Sequence, residues 1–123
     1  MDTGELGKVY RDGEFIVTEG EVGNCMYVIQ EGQVEVFVER GGVEVLLDTN
    51  GPGEFFGEMA LFDRDVRSAS VRALGETRVL TIDKKNFMRR IHEDPSLAFR
   101  IVETMSHRIR ELVAEVGRLK GGQ

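Results

Sequence analysis

The chain is poor in the residues that build reactive centres. Among 123 residues there are no tryptophans, one cysteine, two prolines and two histidines. One cysteine, Cys25, excludes an intramolecular disulfide and by itself makes no metal site. It leads into Met26-Tyr27-Val28 with no Lys, Arg or His close in sequence, so it reads as a packed or half-exposed strand thiol rather than a redox group. No apolar run approaches the roughly 18 to 20 residues of a membrane span. The opening stretch MDTGELGKVYRDGE lacks the basic start and apolar segment of a secretory signal. A cytoplasmic location is expected. A net charge of −6 does not favour non-specific binding to nucleic acid or membranes.

Glycine, by contrast, is plentiful. Most of the 15 glycines precede residue 76, where they punctuate short β-rich runs. Strands are predicted at 15–17, 26–29, 34–38, 43–47, 70–73 and 78–82. Turns are predicted at Gly20, Gly23, Gly32, Gly51-Pro52-Gly53 and Gly75, and a hairpin at Arg40-Gly41-Gly42. Reversals every eight to ten residues suggest an antiparallel sandwich or barrel that closes on itself and so hides its edges. One domain of 1–123 is expected, with the barrel at about 10–83 and helices at about 84–119.

The pattern becomes helical after Asp83. Lys84 to His92 reads as a short helix with Phe87, Met88 and Ile91 on its apolar side. Asp94-Pro95 then offers an N-cap and a first-turn proline for a helix running to about Leu119 and stopping at Gly121-Gly122. Val102, Met105, Ile109, Leu112, Val116 and Leu119 are separated by three, four, three, four and three residues. Val102, Ile109 and Val116 occupy heptad position a, and Met105, Leu112 and Leu119 occupy d, the pattern of a parallel two-stranded coil. A homodimer through these residues is expected, although an amphipathic helix lying on its own barrel uses the same spacing. Leu97 and Ile101 extend the apolar surface toward a second face. Both histidines, His92 and His107, fall in this helical region. They cannot join the converging ligands that a metal-dependent oxygenase barrel needs, and no Ser-His-Asp or Cys-His constellation is visible. An enzyme is not expected, and no metal or cofactor is called for.

The densest chemistry lies in FFGEMALFDRDVRSASV, residues 55–71. Glu58 and Arg67 stand nine positions apart, each among small residues. Gly57 to Phe62 suggests one helical turn, whose first amides are free donors carrying partial positive charge. The polar loop Asp63-Arg64-Asp65 follows, and then Arg67-Ser68-Ala69-Ser70 starts a strand. A guanidinium, helix-end amides and a serine hydroxyl suit a phosphate. A carboxylate beside them suits a sugar hydroxyl. Chemistry alone leaves two readings of equal weight: a sugar-phosphate site, or a plain Glu58–Arg67 ion pair.

Phe56-Gly57-Glu58-Met59-Ala60-Leu61 with Arg67-Ser68-Ala69-Ser70-Val71 resembles the phosphate-binding cassette of the cyclic-nucleotide-binding domain. That family includes bacterial catabolite activators, regulatory subunits of cyclic-AMP-dependent kinase and nucleotide-gated channels. Gly13-Glu14-Phe15-Ile16, Glu19-Gly20-Glu21-Val22-Gly23, Tyr27-Val28-Ile29 and Gly32-Gln33-Val34-Glu35-Val36 fit the family's strand and turn pattern, and the final helix is similar to the activator branch. The resemblance implies a mainly β protein with C-terminal helices: an antiparallel jelly-roll barrel (double-stranded β-helix) carrying the cassette. The implied ligand is cyclic AMP or cyclic GMP, and the implied ligand-binding set is Gly57, Glu58, Met59, Ala60, Arg67, Ser68, Ala69, Arg108, Leu112 and Val113. Arg67 would bind the exocyclic phosphate oxygens, with the Ala60 and Ser68 amides and the Ser68 hydroxyl completing the cradle. Glu58 would accept from the ribose 2′-OH, with the Gly57 backbone close to the sugar. The base would rest on the strands under the long helix, where the apolar Leu112 and Val113 align with the activators' hydroxyl residues. Arg108 could reach Glu58, or be a solvated helix charge. The activators continue into a helix-turn-helix that these residues do not include, so no nucleic-acid binding by this chain itself is expected. It reads as a free-standing sensor or as the sensor part of a regulator, with a ligand-free dimerising scaffold as the remaining alternative.

Overall fold

Two long strands organise the first part of the chain, and each runs through a glycine that the sequence marked as a turn. The computed structural model describes residues 6–62 and 66–121. In chain order they form β1 (Lys8–Tyr10), β2 (Phe15–Val17), β3 (Cys25–Arg40), β4 (Val43–Asn50), β5 (Phe55–Phe56), α1 (Met59–Phe62), β6 (Ser70–Asp83), α2 (Lys84–Glu93) and α3 (Ser96–Gly121).

The expected turns at Gly32 and Gly75 are corrected. β3 and β6 continue past them as a long antiparallel pair from Cys25↔Asp83 to Phe37↔Ser70. The register shifts on both sides of Glu31: β3 carries an extra residue between Ile29 and Glu31, and β6 carries extra residues between the partners Leu74 and Arg78. Gly32 and Gly75 take φ of 86° and 73° at this irregularity, bending the strands without ending them. The buried Thr77 hydroxyl donates to the Gln33 carbonyl at 2.8 Å and so satisfies the disrupted ladder. The hairpin at Arg40-Gly41-Gly42 is present as predicted: β3 and β4 pair from Arg40↔Val43 to Val34↔Asn50 around a two-residue loop. β1 and β5, only three and two residues long, have no alternating pattern by which the sequence could announce them.

All strand pairs are antiparallel, as a jelly roll requires. The sheet path β1-β6-β3-β4, with β2 on β6 and β5 on β3, does not return on itself. The expectation of a closed barrel is therefore corrected to an open path whose ends are β1 and β4. Those ends are protected differently: β1 is short, while β4 carries Glu44 and Asp48 beside a register shift between Val36 and Phe37. The interior holds Val17, Ile29, Val34, Phe56, Val71 and Val79, with Tyr10, Ile16, Tyr27 and Val36 packed against them. Each large apolar side chain buried there contributes about 1.5–3 kcal/mol.

By its contacts the chain divides into two compact units, Met1–Lys84 and Lys85–Gln123. In the second, Asp94 caps α3 as predicted: its carboxylate accepts from the Ser96 amide at 3.2 Å and from the Ser96 hydroxyl. On α2 the buried residues are Phe87 and Arg90, and Met88 is exposed. This corrects the predicted apolar side: one residue is a turn of about 100° on a helix, which carries Met88 off the face that Phe87 shares with Arg90. Leu97 and Ile101 are buried. No helix among the described residues is long and apolar enough to cross a membrane.

Candidate ligand-binding site

The site begins where β5 pins the chain. Phe55 and Phe56 pair with Val28 and Tyr27 of β3, and both phenylalanines are buried. Gly57 follows with φ of 77°, a conformation other residues rarely adopt, and turns the backbone into α1. The Gly57 carbonyl accepts from the Ala60 amide at 3.2 Å and the Glu58 carbonyl from the Leu61 amide at 3.0 Å, closing the single expected turn. Glu58, Ala60 and Leu61 are buried, and Met59 is exposed.

Arg67 arrives from the other side, held by its backbone. Its amide donates to the Glu21 carbonyl at 2.7 Å, and its own carbonyl accepts from the Gly20 amide at 2.9 Å. An isolated bridge, Val22↔Val66, adds to this anchorage. The guanidinium then reaches the cassette: Nη1 donates to the Gly57 carbonyl at 3.2 Å and Nη2 to the Cys25 carbonyl at 2.9 Å. Nη2 also stands 3.8 Å from the Cys25 sulfur, and the head lies 5.7 Å from the centre of the Tyr27 ring. The hydrogen bonds of this guanidinium thus run to Gly57 and Cys25, not to Glu58 as the plain ion-pair reading required.

Ser68 is exposed and Ala69 half-buried. Ser70 is buried and accepts from the Glu19 amide at 2.9 Å, which ties the start of β6 to the segment before β3. Asp63-Arg64-Asp65 lies outside the described residues. Arg108, Leu112 and Val113 are carried by α3 in the second unit. Arg108 is half-buried, and Leu112 and Val113 are exposed. Burial pushes the Tyr27 phenol above its ordinary range, helped by its hydrogen bond to Cys25, while the Arg67 charge acts the opposite way.

Cys25 and Tyr27 are the residues that local sequence reasoning missed. Cys25 has no cation near it in sequence, yet Arg67 meets its carbonyl across 42 positions. Tyr27 fits a strand pattern, which says nothing of what lies over its ring.

The site is thus one glycine turn, one buried acid and one arginine brought together by β3, β5 and the start of β6. Comparisons with known proteins place the chain in a family. The family model described as "Cyclic nucleotide-binding domain" matches residues 7–94. The cyclic AMP receptor protein of Thermus thermophilus is 34% identical over 113 residues, covering 91% of this chain and 52% of that protein. A cAMP-dependent protein kinase regulatory subunit of Emericella nidulans is 40% identical over 77 residues, covering 63% of this chain and 18% of that protein. Among solved structures, the Thermus thermophilus catabolite activator protein superposes with a TM-score of 0.83 at 33% identity, covering 92% of this chain and 54% of that one. A Thermotoga maritima transcriptional regulator, at 19% identity, shares the fold with a TM-score of 0.81 over 94% of this chain and 90% of its own. The chain spans about half or less of the length of the two sequence relatives. With the cassette geometry and the match over residues 7–94 in hand, the chain belongs to the cyclic nucleotide-binding domain family.

Proposed function

We propose that the chain is a regulatory module that binds cyclic AMP or cyclic GMP on the Gly57–Ala60 turn and Arg67. One observation carries the reading: the Arg67 guanidinium lies against Gly57, at 3.2 Å from its carbonyl, where α1 begins and where the buried Glu58 follows. A guanidinium fork matches two oxygens of a cyclic phosphate. The Ala60 and Ser68 amides and the exposed Ser68 hydroxyl complete the cradle, with Ala69 beside them. Glu58 accepts from the ribose 2′-OH, with Gly57 and Met59 lining the sugar. The names of the two sequence relatives point to cyclic AMP.

The base is read by Leu112 and Val113 through apolar contact, and Arg108 couples Glu58 to α3. Ligand shifts a population between two packings of α3, and a homodimer forms through Val102, Met105, Ile109, Leu112, Val116 and Leu119. The chain itself neither catalyses a reaction nor binds nucleic acid. Calorimetric titration with cyclic AMP and cyclic GMP tests the reading. Saturable binding of at least one is expected, and binding of neither would overturn it in favour of a ligand-free scaffold.

A further inference from the structure

The Arg67 head rests in a seat whose floor is the Tyr27 ring and whose rim is the carbonyls of Cys25 and Gly57. The floor is itself fixed, because Tyr27 stacks on Phe56 with ring centres 5.1 Å apart and planes 17° from parallel. The remaining wall is the bare backbone of buried Gly23. A Cβ there would collide with Nε and Cζ of Arg67 and would stand 2.5 Å from Nη2.

We infer that Gly23 is a positioning residue for Arg67: its missing side chain is what lets the guanidinium lie against Gly57 and face the first turn of α1. The inference rests on the cyclic-nucleotide reading given above. Three observations separate Gly23 from a glycine needed only for folding. It is not among the glycines with positive φ, so alanine can adopt its backbone without strain. The atoms in conflict belong to the end of a flexible side chain, not to backbone. A pocket of ≈170 Å³ bordered by Gly23, Cys25, Tyr27 and Arg67 gives a displaced head somewhere to go. A methyl at Gly23 is therefore relieved by swinging the guanidinium off its two carbonyls, which leaves the fold intact and removes the cation from the anion site. Gly75 is the opposite case, with φ of 73° and open space around its missing Cβ. There the same change strains the backbone without touching Arg67.

Titration with cyclic AMP, thermal melting and a crystal structure of the ligand-free Gly23→Ala variant test this together. Gly23→Ala is expected to melt within about 4 °C of the parent, to bind about tenfold or more weakly, and to show the Arg67 head off the Cys25 and Gly57 carbonyls. Gly75→Ala should melt earlier and bind as the parent does. If the parent binds no cyclic nucleotide, the site reading falls and this inference with it. If the parent binds and Gly23→Ala binds equally well, or loses affinity with the Arg67 head in place, only the role of Gly23 is overturned. Should Gly23→Ala melt much earlier than expected, the Arg67→Ala background decides. Stability recovered there supports action through Arg67, and an undiminished loss refutes it.

Discussion

Arg67 is bound to its surroundings at backbone and head alike, a fixed placement that suits the anion-binding role proposed for it. Its amide and carbonyl are fixed on Glu21 and Gly20, so only the side-chain torsions remain to be ordered when a phosphate arrives. Arg67→Ala should weaken cyclic nucleotide binding by about 2 kcal/mol or more, the scale of a lost charge-assisted pair. Calorimetry giving an unchanged affinity would remove Arg67 from the site. Tyr27 makes a second prediction, in pH. Its folded-state pKa lies above the ordinary value of 10.0, chiefly through burial. A raised pKa gives stability that is whole below the unfolded value and is lost as pH rises through the folded one. Unfolding free energy should therefore decline above about pH 10, and less steeply in Tyr27→Phe. Denaturant titrations at neutral and strongly alkaline pH that show the same decline in both chains would refute it. Glu58 and Arg67 were legible in the sequence because the cassette is a contiguous run whose small residues and two charges stand out. The seat around Arg67 was not, because Gly23, Cys25 and Tyr27 lie about 40 positions from Arg67 in sequence and meet it only in the fold, a contact no local pattern encodes.

At the scale of elements, the strands were legible as β-branched and aromatic runs, but not their continuity. Gly32 and Gly75 read as turns because glycine with flanking polar residues usually marks one. The two strands instead share an irregularity at which positive φ serves a bend. Gly32 is the more constrained of the pair. A Cβ there would stand 2.5 Å from the Glu76 carbonyl oxygen and 2.8 Å from the Thr77 Cα, in a backbone conformation of φ 86°. Neither neighbour can swing aside as a side chain does. Gly32→Ala should destabilise the fold by about 1–3 kcal/mol, seen as a lower denaturation midpoint. A midpoint equal to the parent's would mean that the bend is softer than this geometry implies. The helices were the easier elements, because Asp94-Pro95 states a start in two residues and the capping bonds to Ser96 follow directly.

For the whole molecule, the stripe along α3 is the feature that a single chain leaves unexplained. The helix has 26 residues, about 39 Å at 1.5 Å per residue. Along it Val102, Ile109, Leu112, Val116 and Leu119 are 51–68% exposed, and Met105 is half-buried. Isolated exposed apolar residues are ordinary, but a row of them at three-four spacing is the pattern that the proposed coiled-coil seam requires. β-Branched residues at a and leucine or methionine at d favour two parallel strands. Light scattering should therefore give twice the chain mass of 13.8 kDa. Ile109→Lys with Val116→Lys should give the single mass, because two buried ammonium groups per helix cost more than the remaining seam returns. Leu112 belongs both to the proposed seam and to the proposed base contact, so the two proposed equilibria share a residue. Coupling between them must be reciprocal: if cyclic AMP tightens the dimer, dimerisation tightens cyclic AMP by the same factor. Sedimentation of dilute protein with and without saturating cyclic AMP measures that factor directly. A chain that stays monomeric in both conditions would overturn the seam, and a dimer whose dissociation constant is blind to ligand would uncouple α3 from the cassette.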